Sequence, residues 1–251
     1  MIEAEAILSL IERLNESFTR AVDMIMACKG KVVVTGMGKS GLIGQKIAST
    51  LAGTGTPAYF LHPAEGVHGD LGILQKRDIL IVVSNSGETE EIKALLPAVK
   101  RMGIQLIAML GRLQSTLGKA ADLILDTSVK EEACPLGLSP TASTTATLAL
   151  GDALAVALLE KRGFKEEDFA LLHPGGVLGK KLLIKVEDIM HTGEEIPLVR
   201  EMTSMKEVLI EMTSKRLGVT GVTDKDGSLV GVITDGDLRR ALERHRDLLN
   251  K

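Results

Sequence analysis

Tryptophan is absent from the 251 residues, tyrosine occurs once and phenylalanine four times. With aromatics at 2% and apolar residues at 45%, the interior must be built from Val, Ile, Leu, Ala and Met. Such a composition suits parallel sheets covered by helices on both faces. Cysteine occurs only as Cys28 and Cys134, too few and too far apart for a disulfide framework or a zinc cluster. The net charge is −3, and no basic stripe with interleaved aromatics appears, which argues against a nucleic-acid partner. Neither a signal peptide nor an unbroken run of 18 apolar residues is visible, so the expectation is a cytoplasmic protein without a membrane span.

What is present is an alternation of apolar runs and helical periodicity. Ile7, Ile11, Leu14, Phe18, Val22 and Ile25 recur at helical spacing and predict one long amphipathic helix ending near Lys29-Gly30. Strands are expected at Val32–Thr35, Ala58–Leu61, Ile79–Ser84, Gln105–Leu110 and Leu123–Asp126, with helices at 40–52, 88–102, 114–120 and about 140–162. The fold class read from this order is α/β, a mainly parallel sheet between two helical layers. After Lys185 the texture changes to a small α+β unit: a short strand, a helix at about 204–215, and strands Val219–Thr223 and Leu229–Ile233. The two strands flank an Asp226-Gly227 turn, and a helix starts near Asp235. About 65 residues make a marginal core, so this unit is expected to need a partner surface.

Two strand-to-helix turns carry the chemistry. In Gly36-Met37-Gly38-Lys39-Ser40-Gly41 the backbone N–H groups open a helix N-terminus beside a lysine, a ready anion site. A P-loop would need glycine at position 33, which is Val33. The dinucleotide fingerprint fits Gly36, Gly38 and Gly41, but its acidic partner after the second strand is missing, since His62-Pro63 stands there and the nearest acid is Glu65. The second turn, Ser84-Asn85-Ser86-Gly87-Glu88-Thr89, offers hydroxyls and N–H groups to a phosphate, although Ser and Thr also cap helices. Together the turns suggest a small phosphorylated ligand.

These motifs resemble the sugar isomerase (SIS) domain over residues 1 to about 185. Residues 186–251 resemble a single, first CBS motif through Gly231-Val232-Ile233-Thr234-Asp235-Gly236-Asp237-Leu238-Arg239. Within SIS proteins the chain is most similar to the arabinose-5-phosphate isomerase family. The resemblance runs through His62-Pro63, Glu65, His68-Gly69-Asp70-Leu71-Gly72, Glu132 to Leu138, Pro140-Thr141 and His173-Pro174-Gly175-Gly176. That family usually carries a tandem CBS pair, of which one repeat is present here. The resemblance implies interconversion of D-ribulose 5-phosphate and D-arabinose 5-phosphate through an enediol(ate), the route to the lipopolysaccharide sugar acid Kdo. It also implies a homo-oligomer, a tetramer built from SIS dimers, with a nucleotide or nucleotide-sugar as a ligand of the CBS unit. A phosphosugar-binding sensor and a 3-hexulose 6-phosphate isomerase are the competing readings.

Lys39, His68, Glu91, Glu132 and His173 form the expected catalytic pool, with Gly38, Ser40, Ser84, Ser86, Gly87 and Thr89 holding the phosphosugar. A cation at a helix start is electrostatically awkward, which favours an anion near Lys39. Glu91 has a bland alternative as a dipole-complementing acid, and Glu132 as half of a surface Glu131-Glu132 pair. Histidine is the side chain suited to acid/base work at neutral pH, and His68 and His173 sit in glycine- and proline-rich loops. By resemblance His173 reaches a neighbouring subunit's site. Cases for His62, His191 and His245 are weaker, and Cys134 reads as a small hydrophobe. The chemistry requires no metal and no cofactor.

Overall fold

The computed structural model describes residues 1–176, 179, 181–182 and 184–244. Contacts divide the chain into two compact units, Met1–Leu183 and Ile184–Lys251.

In the first unit five parallel strands, β1 (Val32–Gly36), β2 (Ala58–Phe60), β3 (Ile79–Ser84), β4 (Gln105–Leu110) and β5 (Leu123–Asp126), form a sheet of order β2-β1-β3-β4-β5. β1 and β3 are buried along their whole length, as continuous Val/Ile/Leu runs require when both faces are covered. Alternation along each strand splits the core. Val32, Val34, Ile79, Ile81, Val83, Ile107 and Met109 face one helical layer, made of α1 (Ile2–Ser9), α2 (Glu16–Ala27), α3 (Gly38–Gly53) and α7 (Ala142–Arg162). Val33, Leu80, Val82, Leu106, Ala108 and Leu110 face the other layer, where α4 (Pro63–Val67), α5 (Glu90–Met102) and α6 (Thr116–Ala120) lie. α8 (Glu166–Leu172) follows α7.

The expected single N-terminal helix is two. A 3₁₀ turn at Leu10–Arg13 ends α1, and Asn15 starts α2 by accepting the Ser17 N–H at 2.9 Å, the usual work of an N-cap. Each helix therefore has its own phase. Ala6 and Leu10 are buried, whereas Ile7, Ile11 and Leu14, expected on the core face, lie exposed, Ile11 by 67%. The regular spacing ran straight through a capping residue.

α7 is, among the described helices, the one long and apolar enough to cross a membrane. Half of that stretch is buried within the unit, and α1, α2 and α3 all pack on it. Thr144, Thr145, Thr147 and Asp152 interrupt the run in sequence.

Asp78 ties the entry of β3 to that of β1. Its carboxylate, 2% exposed, accepts the Lys31 N–H at 3.0 Å and the Gln75 N–H at 2.9 Å, and pairs with Lys31 Nζ at 2.9 Å. Burial pushes the carboxyl up, but the Lys31 and Gln75 bonds outweigh it and hold the group below its ordinary 3.8. A folded-state value below the unfolded one stabilises at neutral pH, and the gain vanishes as pH falls through the folded value. Asp78→Ala is expected to cost about 2–3 kcal/mol at pH 7 by orphaning two N–H groups. The cost should shrink below pH 3.8 in denaturant titrations, and a pH-independent cost would contradict this account.

The second unit contains α9 (Val186–Ile189), β6 (Leu198–Arg200), α10 (Met205–Lys215), β7 (Val219–Thr223), β8 (Leu229–Thr234) and α11 (Asp235–Arg244). β6 runs parallel and β8 antiparallel to the central β7. Ser204 and Glu207 form a reciprocal cap on α10, the Ser204 N–H reaching Glu207 Oε2 at 3.2 Å. The hairpin turn is longer than two residues. The Asp224 carboxylate accepts the N–H groups of Asp226 and Ser228, both at 2.9 Å, and Gly227 adopts φ +83°. The core is small, with Val208, Met212 and Leu238 at its centre. Leu229, Val230 and Val232 on β8 lie more than half exposed.

Candidate active site

In a parallel sheet the ligand crevice opens at the strand carboxyl ends, where neighbouring connections depart to opposite faces. Here that point lies between β1 and β3: β1 leads into α3 on one layer and β3 into α5 on the other. The β1–α3 turn needs its glycines. A Cβ at Gly41 would stand 2.6 Å from the Gly36 carbonyl oxygen, and one at Gly36 would stand 2.8 Å from that of Ser40. The turn therefore closes tightly and presents Gly38, Lys39 and Ser40 at the carboxyl edge. Gly38 has φ +57°, Lys39 is exposed, and it makes no ion pair among the described residues.

The β3–α5 turn is knitted from its own hydroxyls. Ser84 Oγ accepts the Gly87 N–H at 3.0 Å and lies 2.9 Å from Thr89 Oγ1, while Ser86 Oγ accepts the Glu88 N–H at 3.2 Å. Gly87 holds φ +67°, and Thr89 occupies the N-cap position of α5. Glu91, in the first turn of α5, is half-buried, and its carboxylate has no hydrogen-bond partner among the described residues.

A cleft between these turns is lined by Ser40, Ile43, Val83, Asn85, Pro140, Ser143, Thr144 and Thr147. Asn85, Ser143, Thr144 and Thr147 were not among the sequence candidates. The hydroxyl-rich opening of the long helix, Thr141-Ala142-Ser143-Thr144-Thr145, was the available signal.

Glu132 holds that opening in place. One oxygen accepts the Thr141 N–H at 2.8 Å, the Thr141 hydroxyl at 3.0 Å and the Ser143 N–H at 3.2 Å. The other takes the Ser143 hydroxyl. Burial pushes this carboxyl up, yet the Ser143 hydroxyl and the Thr141 and Ser143 N–H groups together hold it below its ordinary 4.5. An ionised carboxylate so fully engaged suits positioning better than proton abstraction.

The histidines separate. His68 ends α4 beyond the carboxyl end of β2 and is exposed. His62, also just past β2, has a buried Nδ1 without a partner among the described residues. His173 lies at the other end of the molecule's first unit. Its ring stacks on Phe169 with centroids 3.9 Å apart, Nδ1 sits 2.9 Å from the Phe169 carbonyl, and a Cβ on Gly53 would fall 3.2 Å from Nε2. Gly53 closes α3 and Lys39 opens it. Sixteen residues of helix put about 24 Å between those ends. The chain thus gathers Gly38, Lys39, Ser40, the 84–89 turn, Glu91 and Glu132 at one edge of the sheet and leaves His173 at the opposite edge. His191 lies in the second unit, where it pairs with Glu195 at 3.2 Å, and His245 lies outside the described residues.

Residues 25–157 match the SIS domain family and residues 186–244 the CBS domain family. An arabinose 5-phosphate isomerase KdsD of Pseudomonas aeruginosa is 58% identical over 98% of this chain and 76% of its own length. The chain belongs to the arabinose 5-phosphate isomerase family. The KdsD of Escherichia coli K12 is 54% identical over 98% of this chain and 75% of its own length. Among solved structures, an E. coli CFT073 protein in complex with arabinose 5-phosphate superimposes with a TM-score of 0.67. It is 46% identical, and the match covers 68% of this chain and 92% of its own. The two proteins therefore share their fold over the matched length.

Proposed function

We propose that this isomerase interconverts D-arabinose 5-phosphate and D-ribulose 5-phosphate by proton transfer between C1 and C2, with its active site at the β1/β3 crevice. The observation that carries this reading is the pairing, at one sheet edge, of a hydroxyl-rich anion turn with a lysine and an unengaged carboxylate. Ser84, Ser86, Gly87 and Thr89 hold the phosphate, with Gly38 and Ser40 closing the other wall. This anchors the far end of the sugar and places C1–C2 over the reacting groups. A base removes the C2 proton of the open-chain aldose to give a cis-enediol(ate). Returning that proton to C1, with the hydroxyl proton moving from O2 to O1, completes the ketose. Lys39 and cleft donors stabilise the developing oxyanion. Glu91 and the imidazoles of His68 and His173 form the proton-transfer pool, and Glu132 orients the α7 opening that lines the cleft.

His173 enters this pool from a second copy, because its own site lies a helix length away. The assembly is a homo-oligomer, a tetramer built from two dimers. Residues 1–185 act as the isomerase domain, and 186–251 act as the first motif of a CBS pair with a nucleotide or nucleotide-sugar as ligand. The apolar β8 face, exposed here, supports a partner surface on that unit. The enzyme works in the cytoplasm, where phosphosugars are retained, as the first step towards Kdo and lipopolysaccharide.

Incubation with ribulose 5-phosphate in D2O tests the mechanism. Arabinose 5-phosphate formed through an enediol carries deuterium at C2 in its NMR spectrum. Line-broadening of the sugar without turnover would identify a sensor instead and sink the isomerase reading.

A further inference from the structure

The phosphate turn contains an acid, Glu88, whose charge would repel a bound phosphate if it faced the cleft. The structure directs that charge away. Glu88 Oε1 accepts the Thr116 N–H at 2.7 Å, and Oε2 lies 3.4 Å from Lys93 Nζ. The Thr116 bond is the first cause holding this carboxyl below its ordinary 4.5, so it stays ionised and oriented.

Glu88 is one of several ties between the turn and the β4–α6 connection. The Leu117 N–H donates to the Gly87 carbonyl at 3.1 Å, and the Arg112 N–H to that of Asn85 at 2.9 Å. The two segments touch so closely that a Cβ at Gly87 would meet Ser115 Oγ at 2.0 Å, and one at Gly111 would meet Asn85 Oδ1 at 1.8 Å. Ser115 itself is 3% exposed and caps α6 through the Gly118 N–H. Of these ties, Glu88 supplies the one made by a charged side chain, and charged hydrogen bonds are the stronger kind.

We propose that Glu88 is a positioning residue that braces the phosphate turn against the start of α6 and thereby sets phosphate affinity without entering proton transfer. The proposal rests on the 84–89 turn being the phosphate site. Loss of the brace frees the Gly87 and Glu88 N–H groups to drift from their aim. Loss of its donor alone also frees a carboxylate to swing towards the bound phosphate.

The test measures kcat, KM for arabinose 5-phosphate and the competitive inhibition constant of inorganic phosphate on the full chain. Glu88→Ala removes the acceptor. Thr116→Pro removes the donor at the first helical position, which tolerates proline. Each is expected to raise KM and the phosphate constant in parallel, by about 5–20-fold, the worth of one charged hydrogen bond, with kcat changed less than about twofold. Glu88→Gln retains the acceptor and should recover most of the affinity. The double variant should be no weaker than Thr116→Pro alone, because both changes break one bond. Unchanged constants in both single variants, or a fall in kcat at constant KM, overturn the proposal. Ser84→Ala separates it from the reading beneath it. If Ser84→Ala alone weakens phosphate, the turn binds phosphate and the brace is wrong; if none of the three does, the phosphate turn itself is wrong.

Discussion

Co-expressed His173→Ala and Glu91→Ala subunits are expected to be active, although each variant alone is nearly dead. Removing a proton-transfer group costs on the order of 10²–10⁴ in rate, so each homogeneous variant should lose at least about 100-fold in kcat. The geometry makes rescue a strict consequence. His173 sits against Gly53 at the closing end of α3, while Glu91 lies near the turns at its opening end. If each site takes Glu91 from one chain and His173 from another, a mixed pair holds one doubly damaged site and one intact site. With equal amounts and random pairing, half the pairs are mixed, and about a quarter of wild-type activity returns. Activity of the purified mixed species, separated by two affinity tags, gives the answer. No recovery in mixed species would place both groups in one chain's site or remove His173 from the chemistry. Near-normal kcat in His173→Ala by itself would do the latter directly.

How far the sequence carries depends on the range of the physics involved. β3, β4 and β5 can be bounded to the residue, as Ile79–Ser84, Gln105–Leu110 and Leu123–Asp126, because each is an unbroken apolar run closed or opened by a polar residue. The β1–α3 turn is equally local, since the approach of Gly36 and Gly41 leaves no room for a Cβ. The N-terminal stripe misleads because periodicity does not register a phase reset at Asn15, whose cap depends on one short bond to Ser17. α4 and α8, helices of five and seven residues, escape notice. The cleft is the hardest part. Ser143, Thr144 and Thr147 reach Ser40 and Asn85 only because α7 crosses back over α3, a contact about a hundred residues apart in sequence. Glu132 stands out as an acid in a loop, but its work is defined by Thr141 and Ser143 on the next element.

That dependence makes Glu132 the place where stability and activity should separate by substitution. Glu132→Ala leaves the Thr141 and Ser143 N–H groups without their acceptor at the start of the longest helix, beside the cleft. The expected cost is about 2–3 kcal/mol, a cap and a half-buried bond together, with activity falling at least about 100-fold as Ser143 and Thr144 lose their places. Glu132→Gln keeps the shape and one acceptor, and the Ser143 hydroxyl can turn to receive the new amide. It should therefore remain within about 1 kcal/mol of the wild type while losing the charge. The pH dependence distinguishes the two effects. The wild-type carboxyl is held below 4.5 in the folded state, so its contribution is complete above that value and disappears as pH falls through the folded one. Denaturant midpoints of the wild type and Glu132→Ala should therefore converge on acidification below pH 4.5, whereas Glu132→Gln carries no such slope. Equal midpoints for all three proteins at pH 7 would mean that the α7 start holds itself. Full activity in Glu132→Gln would then leave the carboxylate's charge with no part in the site.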